Sequence, residues 1–156
     1  MALIETLDRA VMALLRAAVA LAVLVIFVLL LLGVLVRAVP VFSMAGYDEI
    51  VELLVAWAVF LGAVVLWREG AHFRVDFLQR SLARRPAWVV EGVAYALALA
   101  FALVFSYQSY RFVVGTTEMT AFFAVSKTAW YASMPVAGAL MVLAALADLW
   151  RWARHG

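Results

Sequence analysis

The sequence predicts an all-α membrane protein with four transmembrane helices, and three observations carry that reading. Hydrophobic residues make up 69% of the 156, and mean hydropathy is +1.08, far above the roughly 45–50% apolar usage of soluble domains. Charge-free runs of 15 to 20 residues recur along the chain, near the length at which a helix crosses a hydrocarbon core of about 30 Å. Nine of the 12 Lys and Arg residues fall in alternate connections, the asymmetry that sets membrane topology. The chain, residues 1–156, is therefore expected to form one four-span domain, with spans near 17–36, 48–67, 88–110 and 128–149 and no sizeable extramembrane domain.

The first run, Ala17 to Val36, lies between Arg16 and Arg37. Its 20 residues exceed a signal-peptide core, so a retained helix is expected. The second, Leu53 to Trp67, has only 15 residues and must borrow length from the preceding Tyr47 to Glu52. Its helix is expected to begin near Asp48, leaving Glu52 just inside one interface, where an acid needs a water, headgroup or protein partner. Glu49 and Glu52 could be drawn as cation ligands, but an acidic helix start favoured by the dipole accounts for them.

The third run, Gly92 to Tyr110, follows Pro86, which is placed to start a helix. Tyr107, Gln108, Ser109 and Tyr110 suit its far interface. The fourth, Thr128 to Ala147, contains Pro135, whose missing N–H predicts a kink or local loosening.

Arg9, Arg16, the arginines between 68 and 85, Arg151 and Arg154 share one side, against Arg37, Arg111 and Lys127 on the other. Both termini and the 68–86 connection are therefore expected to be cytoplasmic. Trp67, Trp88, Trp150 and Trp152 fall at span ends on that side, as an aromatic belt would.

Composition also excludes several functions. Without cysteine there is neither a disulfide nor a thiolate metal site. The central thirds of the expected spans contain no Asp, Glu, Lys, Arg or His, and no inverted repeat is visible, so the chain offers no ion path of its own. No Gly-rich phosphate loop, paired nucleophile and base, or midspan haem-ligating histidines occur. No catalytic, substrate-binding, metal or cofactor site is expected, and the chain reads as a non-enzyme.

Polarity is instead concentrated in WREGAHFRVDFL, residues 67–78. As a helix over about 69–84, this stretch places Ala71, Val75, Leu78 and Leu82 on one stripe and Glu69, His72, Asp76, Gln79 and Arg80 on another face. A cytoplasmic amphipathic arm lying along the membrane between the second and third spans is expected. His72 and Asp76, and Asp76 and Arg80, are four residues apart and within reach of one another. One His and one Asp are too few for a metal, so an ion cluster that includes Arg68 and fixes the arm is the preferred reading.

Glu52, Trp57, Phe60-Leu61-Gly62-Ala63, Arg68, Gly70, His72, Val75-Asp76 and Leu78 together resemble the signature of the small, Q-type membrane subunit of TRAP (tripartite ATP-independent periplasmic) transporters. Lys127 to Tyr131, with Pro135 and Gly138, is similar to that family's last span. The pattern departs at Ser126, where many relatives carry proline. The resemblance implies a multi-pass subunit of the bacterial inner membrane that scaffolds a large multi-span transport subunit and works with a periplasmic substrate-binding protein. Sodium-coupled uptake of a carboxylate or similar organic anion would reside on the large subunit. It also implies a structural or partner-interface role for Glu52, Arg68, Gly70, His72, Val75, Asp76 and Arg80. The other readings are a helical membrane anchor of another complex, such as a haem-bearing subunit, and a small independent channel or membrane enzyme. The first would need histidines within spans, and the second a clustered polar site.

Overall fold

A computed structural model describes residues 2–38, 45–69 and 84–155. Its elements are α1 (Ala2–Ala38), α2 (Tyr47–Arg68), α3 (Arg84–Gly115), the single turn α4 (Thr128–Tyr131) and α5 (Ser133–His155). Among the described residues there is no strand, only an isolated antiparallel bridge between Met119 and Ser126. Four stretches are long and apolar enough to cross a membrane: Asp8–Ala38, Tyr47–Arg68, Trp88–Gly115 and Thr128–Arg154. The expected amphipathic arm lies outside the described residues except at its ends, Glu69 and Arg84.

The helices outrun the charge-free runs for a simple reason. Leu, Met, Arg and Glu, which fill the first turns of α1, are good helix formers, so charge ends the apolar stretch without ending the helix. α2 begins at Gly46, whose φ of 81° is left-handed. A Cβ at Gly46 would also collide with the Phe122 ring, so both conformation and space require glycine there. Asp48 and Glu49 occupy the first turn, where the helix dipole favours acids.

Pro86 falls in the first turn of α3, where a missing N–H costs no helical bond. Pro135 acts differently. It cannot donate to the Tyr131 carbonyl, and the helix is interrupted at Ala132, between α4 and α5. The Ser133 hydroxyl donates to the Trp130 carbonyl at 2.8 Å across that interruption.

α1 packs along α2 and α3 along α5, while contact between α2 and α5 joins the two pairs. The shared core consists of Val64 and Trp67 from α2, Ala98 and Ala102 from α3, and Ala137, Met141, Ala144 and Ala145 from α5. Small side chains dominate it because lipid supplies no hydrophobic drive between helices, and close backbone approach supplies van der Waals contact instead. Gly138 is the extreme case: a Cβ there would stand 2.8 Å from Ser106 Cα. Aromatic rings fill the wider gap between α2 and α3, with centroid separations of 6.4 Å for Trp67–Phe101, 6.0 Å for Phe101–Phe105 and 6.1 Å for Phe60–Phe105. α1 is peripheral. Only 6% of its most apolar stretch is buried, against 33% in the last span.

Two glycines test this packing. A Cβ at Gly62 would meet only Val19 Cγ1, at an ordinary 3.9 Å, so Gly62→Ala should be neutral or stabilising, by up to about 1 kcal/mol of helix propensity. Gly138→Ala must push α3 from α5 and should lower the melting temperature in detergent. Equal melting of the two variants would contradict the close α3–α5 approach.

Candidate functional site

Polar contacts gather at the two ends of the bundle. One end holds the start of α2, the end of α3 and the connection 116–127. This connection folds back on itself: the Lys127 N–H donates to the Glu118 carbonyl at 2.9 Å and the Thr120 N–H to the Val125 carbonyl at 2.8 Å. The Val125 N–H donates to Thr120 Oγ1 at 3.1 Å. Ala124 closes the turn with a φ of 50°, a left-handed conformation disfavoured for a residue with a Cβ.

The loop is fastened to α2 through Glu49. Its carboxylate accepts the Phe122 N–H at 2.5 Å and the Phe123 N–H at 3.2 Å. The Ala121 amide and the Thr120 hydroxyl also face this carboxylate. The Glu49 carbonyl accepts from the Trp130 indole at 3.0 Å, and about two helical turns further along α2 the Trp57 indole donates to the Ala129 carbonyl at 3.1 Å. The buried Trp130 indole needs such a partner.

Glu52 has the partner its position demands. The Lys127 ammonium lies 2.9 and 3.3 Å from its two carboxylate oxygens. That hydrogen bond raises the Lys127 pKa above its ordinary value, opposed by partial desolvation and aided by the charges of Glu52, Tyr131 and Glu118. Glu118 in turn accepts from the Tyr131 hydroxyl at 2.6 Å.

At the opposite end, Arg68 pairs with Asp8 and Arg16 with Glu69, the latter at 3.0 Å, which ties the start of α1 to the end of α2. Trp88 and Trp152 stack at 4.3 Å and Arg154 lies 3.7 Å over the Trp150 ring, so the aromatic side chains expected as a belt share this end.

Of the site residues expected from sequence, Glu52 and Arg68 are therefore at opposite ends of α2, each in an ion pair. Gly70, His72, Val75, Asp76 and Arg80 lie outside the described residues, so the Arg68–His72–Asp76–Arg80 cluster does too. The Glu49 clamp was not anticipated beyond the dipole argument. Neither were the two indole bonds, for which Trp within a span was the available signal. Among the described residues no three His, Asp or Glu side chains converge as a metal site would require.

Four apolar spans, with polarity confined to their ends, are joined by a family match. The family model for the DctQ component of tripartite ATP-independent periplasmic transporters matches residues 26–155. The chain belongs to the DctQ family. No individual curated protein matches it. A DctQ chain is the small membrane subunit of a TRAP transporter, and this family is one of transporter subunits, not enzymes. Membership implies association with a large membrane subunit and a binding protein. The match takes in all of α2 to α5 with the Glu49 and Glu52 contacts, whereas Asp8 and Arg16, the α1 partners of Arg68 and Glu69, precede it.

Two outcomes follow for the DctQ loop end. Glu49→Ala removes the acceptor of two amides, whereas Glu52→Gln removes only an exposed ion pair, a weak contributor in general. Glu49→Ala should therefore lower the melting temperature more and speed amide exchange at Phe122 and Phe123. Because Lys127 is raised on folding, the pair's contribution is complete below the unfolded lysine value of about 10.4 and is lost as pH rises through the folded value. On the alkaline limb, the melting temperature of Glu52→Gln should thus converge on the parent only in strongly alkaline solution.

Proposed function

We propose that the chain scaffolds the large transport subunit of a TRAP system in sodium-coupled uptake of a carboxylate or similar organic anion delivered by a periplasmic binding protein. The observation that carries this reading is the distribution of polarity. Four ion pairs lie at the two ends of the described helices, and the core between them is built mainly from small apolar residues and stacked rings. Among the described residues no charged side chain stands in the middle of a span, which supports assigning substrate and sodium to the larger partner.

In this reading the subunit is a multi-pass protein of the bacterial inner membrane with one domain over 1–156. Both termini, Arg68 and the amphipathic arm face the cytoplasm, and Glu49, Glu52 and the 116–127 loop face the periplasm. The arginine asymmetry and the tryptophan-rich end support that orientation. Glu52, Arg68, Gly70, His72, Val75, Asp76 and Arg80 serve structure or the partner interface, with no cofactor on this chain.

Three measurements test it. Thr116→Cys, introduced into a chain without cysteine of its own, should react with an impermeant thiol reagent only from the periplasmic side. The chain alone, in liposomes with a sodium gradient, should give background carboxylate uptake. Asp76→Ala should lower the yield of the complex with the large subunit without changing the sodium or substrate affinity of what assembles. Uptake by the chain alone, or full assembly with altered sodium dependence, would refute the scaffold reading.

A further inference from the structure

The 116–127 loop has chemistry that neither transport nor scaffolding calls for. Residues 119–126, Met-Thr-Ala-Phe-Phe-Ala-Val-Ser, carry no charge, and the whole connection 116–127 lacks Gly, Pro, Asn and Asp. A turn exposed to water normally uses those residues, above all where φ is positive, yet Ala124 holds the left-handed position. The outward side chains are large and apolar: Met119 is 67% exposed, Phe122 56%, Val125 52% and Phe123 46%.

Part of the loop's polarity turns inward. The amides of Thr120, Phe122, Phe123 and Val125 all donate within the protein. The two charges that flank the apolar stretch are drawn back as well, Lys127 to Glu52 and Glu118 to the Tyr131 hydroxyl. Water-facing loops need no such arrangement, since solvent satisfies their amides. A loop at a boundary poor in water gains from it, because each amide bonded inside the protein is one that the boundary need not hydrate.

Depth agrees with this. The loop is fastened to the first turn of α2, a membrane-crossing helix, and Phe122 covers the Gly46 turn that precedes it. Tyr107, Tyr110 and Phe112, all exposed on the last turns of α3, continue the apolar surface of that span toward the loop.

We infer that the 119–125 loop is a monotopic wedge, seated in the boundary between headgroups and acyl chains of the bilayer that the four helices cross, with Glu49 as the clamp that makes its backbone fit for that medium. Lipid is the occupant because the patch is uncharged, continuous with a lipid-crossing surface and has the amides of Thr120, Phe122, Phe123 and Val125 bonded within the protein, which suits the headgroup boundary, where the remaining backbone groups can still be hydrated. The wedge resists tilting and vertical displacement of α2 and of the α3–α5 pair, since any such movement drags aromatic side chains out of the interface. The inference rests on membrane embedding and not on the scaffold assignment.

The test uses the full chain in lipid nanodiscs. Met119→Cys and Phe123→Cys each replace an exposed side chain, so folding should survive, and each takes a polarity-sensitive fluorophore. A third label at Thr117→Cys, before the apolar stretch, serves as the water-facing reference. Expected are blue-shifted emission at 119 and 123, quenching by lipids brominated near the headgroup several-fold stronger than at 117, and iodide quenching several-fold weaker. Adding Glu49→Gln to Phe123→Cys should reverse the preference toward iodide. Free quenching of both loop labels by iodide would overturn the wedge. So would protection from both quenchers, which would mean that protein, either a second copy or another subunit, covers the loop.

Discussion

The carboxylate of Glu49 is the contact on which the loop end of the molecule depends. Irregular backbone at a membrane boundary is favoured when its N–H groups find partners inside the protein, and the connection 116–127 is irregular backbone beside the first turn of α2. Glu49 answers that demand with two oxygens that receive the Phe122 and Phe123 amides. Its own carbonyl receives the Trp130 indole. One residue thereby joins α2, the loop and α4, and it does so from a first-turn position where the helix dipole already favours a negative charge. The neighbouring Glu52–Lys127 pair and the Trp57 bond to Ala129 lie on the same seam, so α2 and the start of the last span are held by several bonds of different chemistry.

The opposite end uses other means for a similar purpose. There, ion pairs tie α1 to α2 and stacked tryptophans tie α3 to α5. Between the ends the helices have only shape to hold them. The Ala98, Ala102, Ala137, Ala144 and Ala145 contacts, with Gly138 against Ser106, bring α3 and α5 into close approach, while the ring stack of Trp67, Phe101, Phe105 and Phe60 fills the wider space beside α2. Polar fasteners at both ends and dispersion in the middle are what the bilayer permits. A buried midspan charge would be costly, whereas an interfacial one can be hydrated or paired.

Much of this was legible in the sequence because it follows from local rules. Apolar length pointed to four helices long and apolar enough to cross a membrane, and the shortness of the Leu53–Trp67 run implied a helix start near Asp48, where α2 begins at Tyr47. Pro135 correctly marked a loosening, seen as the interruption at Ala132. The position of Glu52 required a partner, but not which one, since Lys127 is 75 residues away. The Glu49 clamp was less legible still. Its donors are main-chain amides, which carry no sequence signature, and only the return of the loop to α2 brings them within reach. The membership of the chain in a TRAP family was readable from the Arg68–Asp76 motif, although most of that motif lies outside the described residues, so its contacts rest on spacing alone.

The uneven burial of the four spans bears on where such a subunit can meet other molecules. The last span and α2 share the core, but α1 touches the bundle mainly along α2 and leaves Leu21, Leu24, Phe27 and Leu31 exposed. In water that surface would be a liability; in a bilayer it costs nothing, because lipid is as apolar as leucine. Its fixed position then depends on its ends, where Asp8 meets Arg68, Arg16 meets Glu69, and Arg37 donates to the Tyr47 hydroxyl at 3.4 Å. Each of those contacts is made to α2, and α2 is in turn held by Glu49 and Glu52 to the loop and Lys127. The order of dependence therefore runs from the loop clamp to α2 and from α2 to α1, which makes the least buried helix the one whose placement relies most on polar contacts made outside the hydrocarbon.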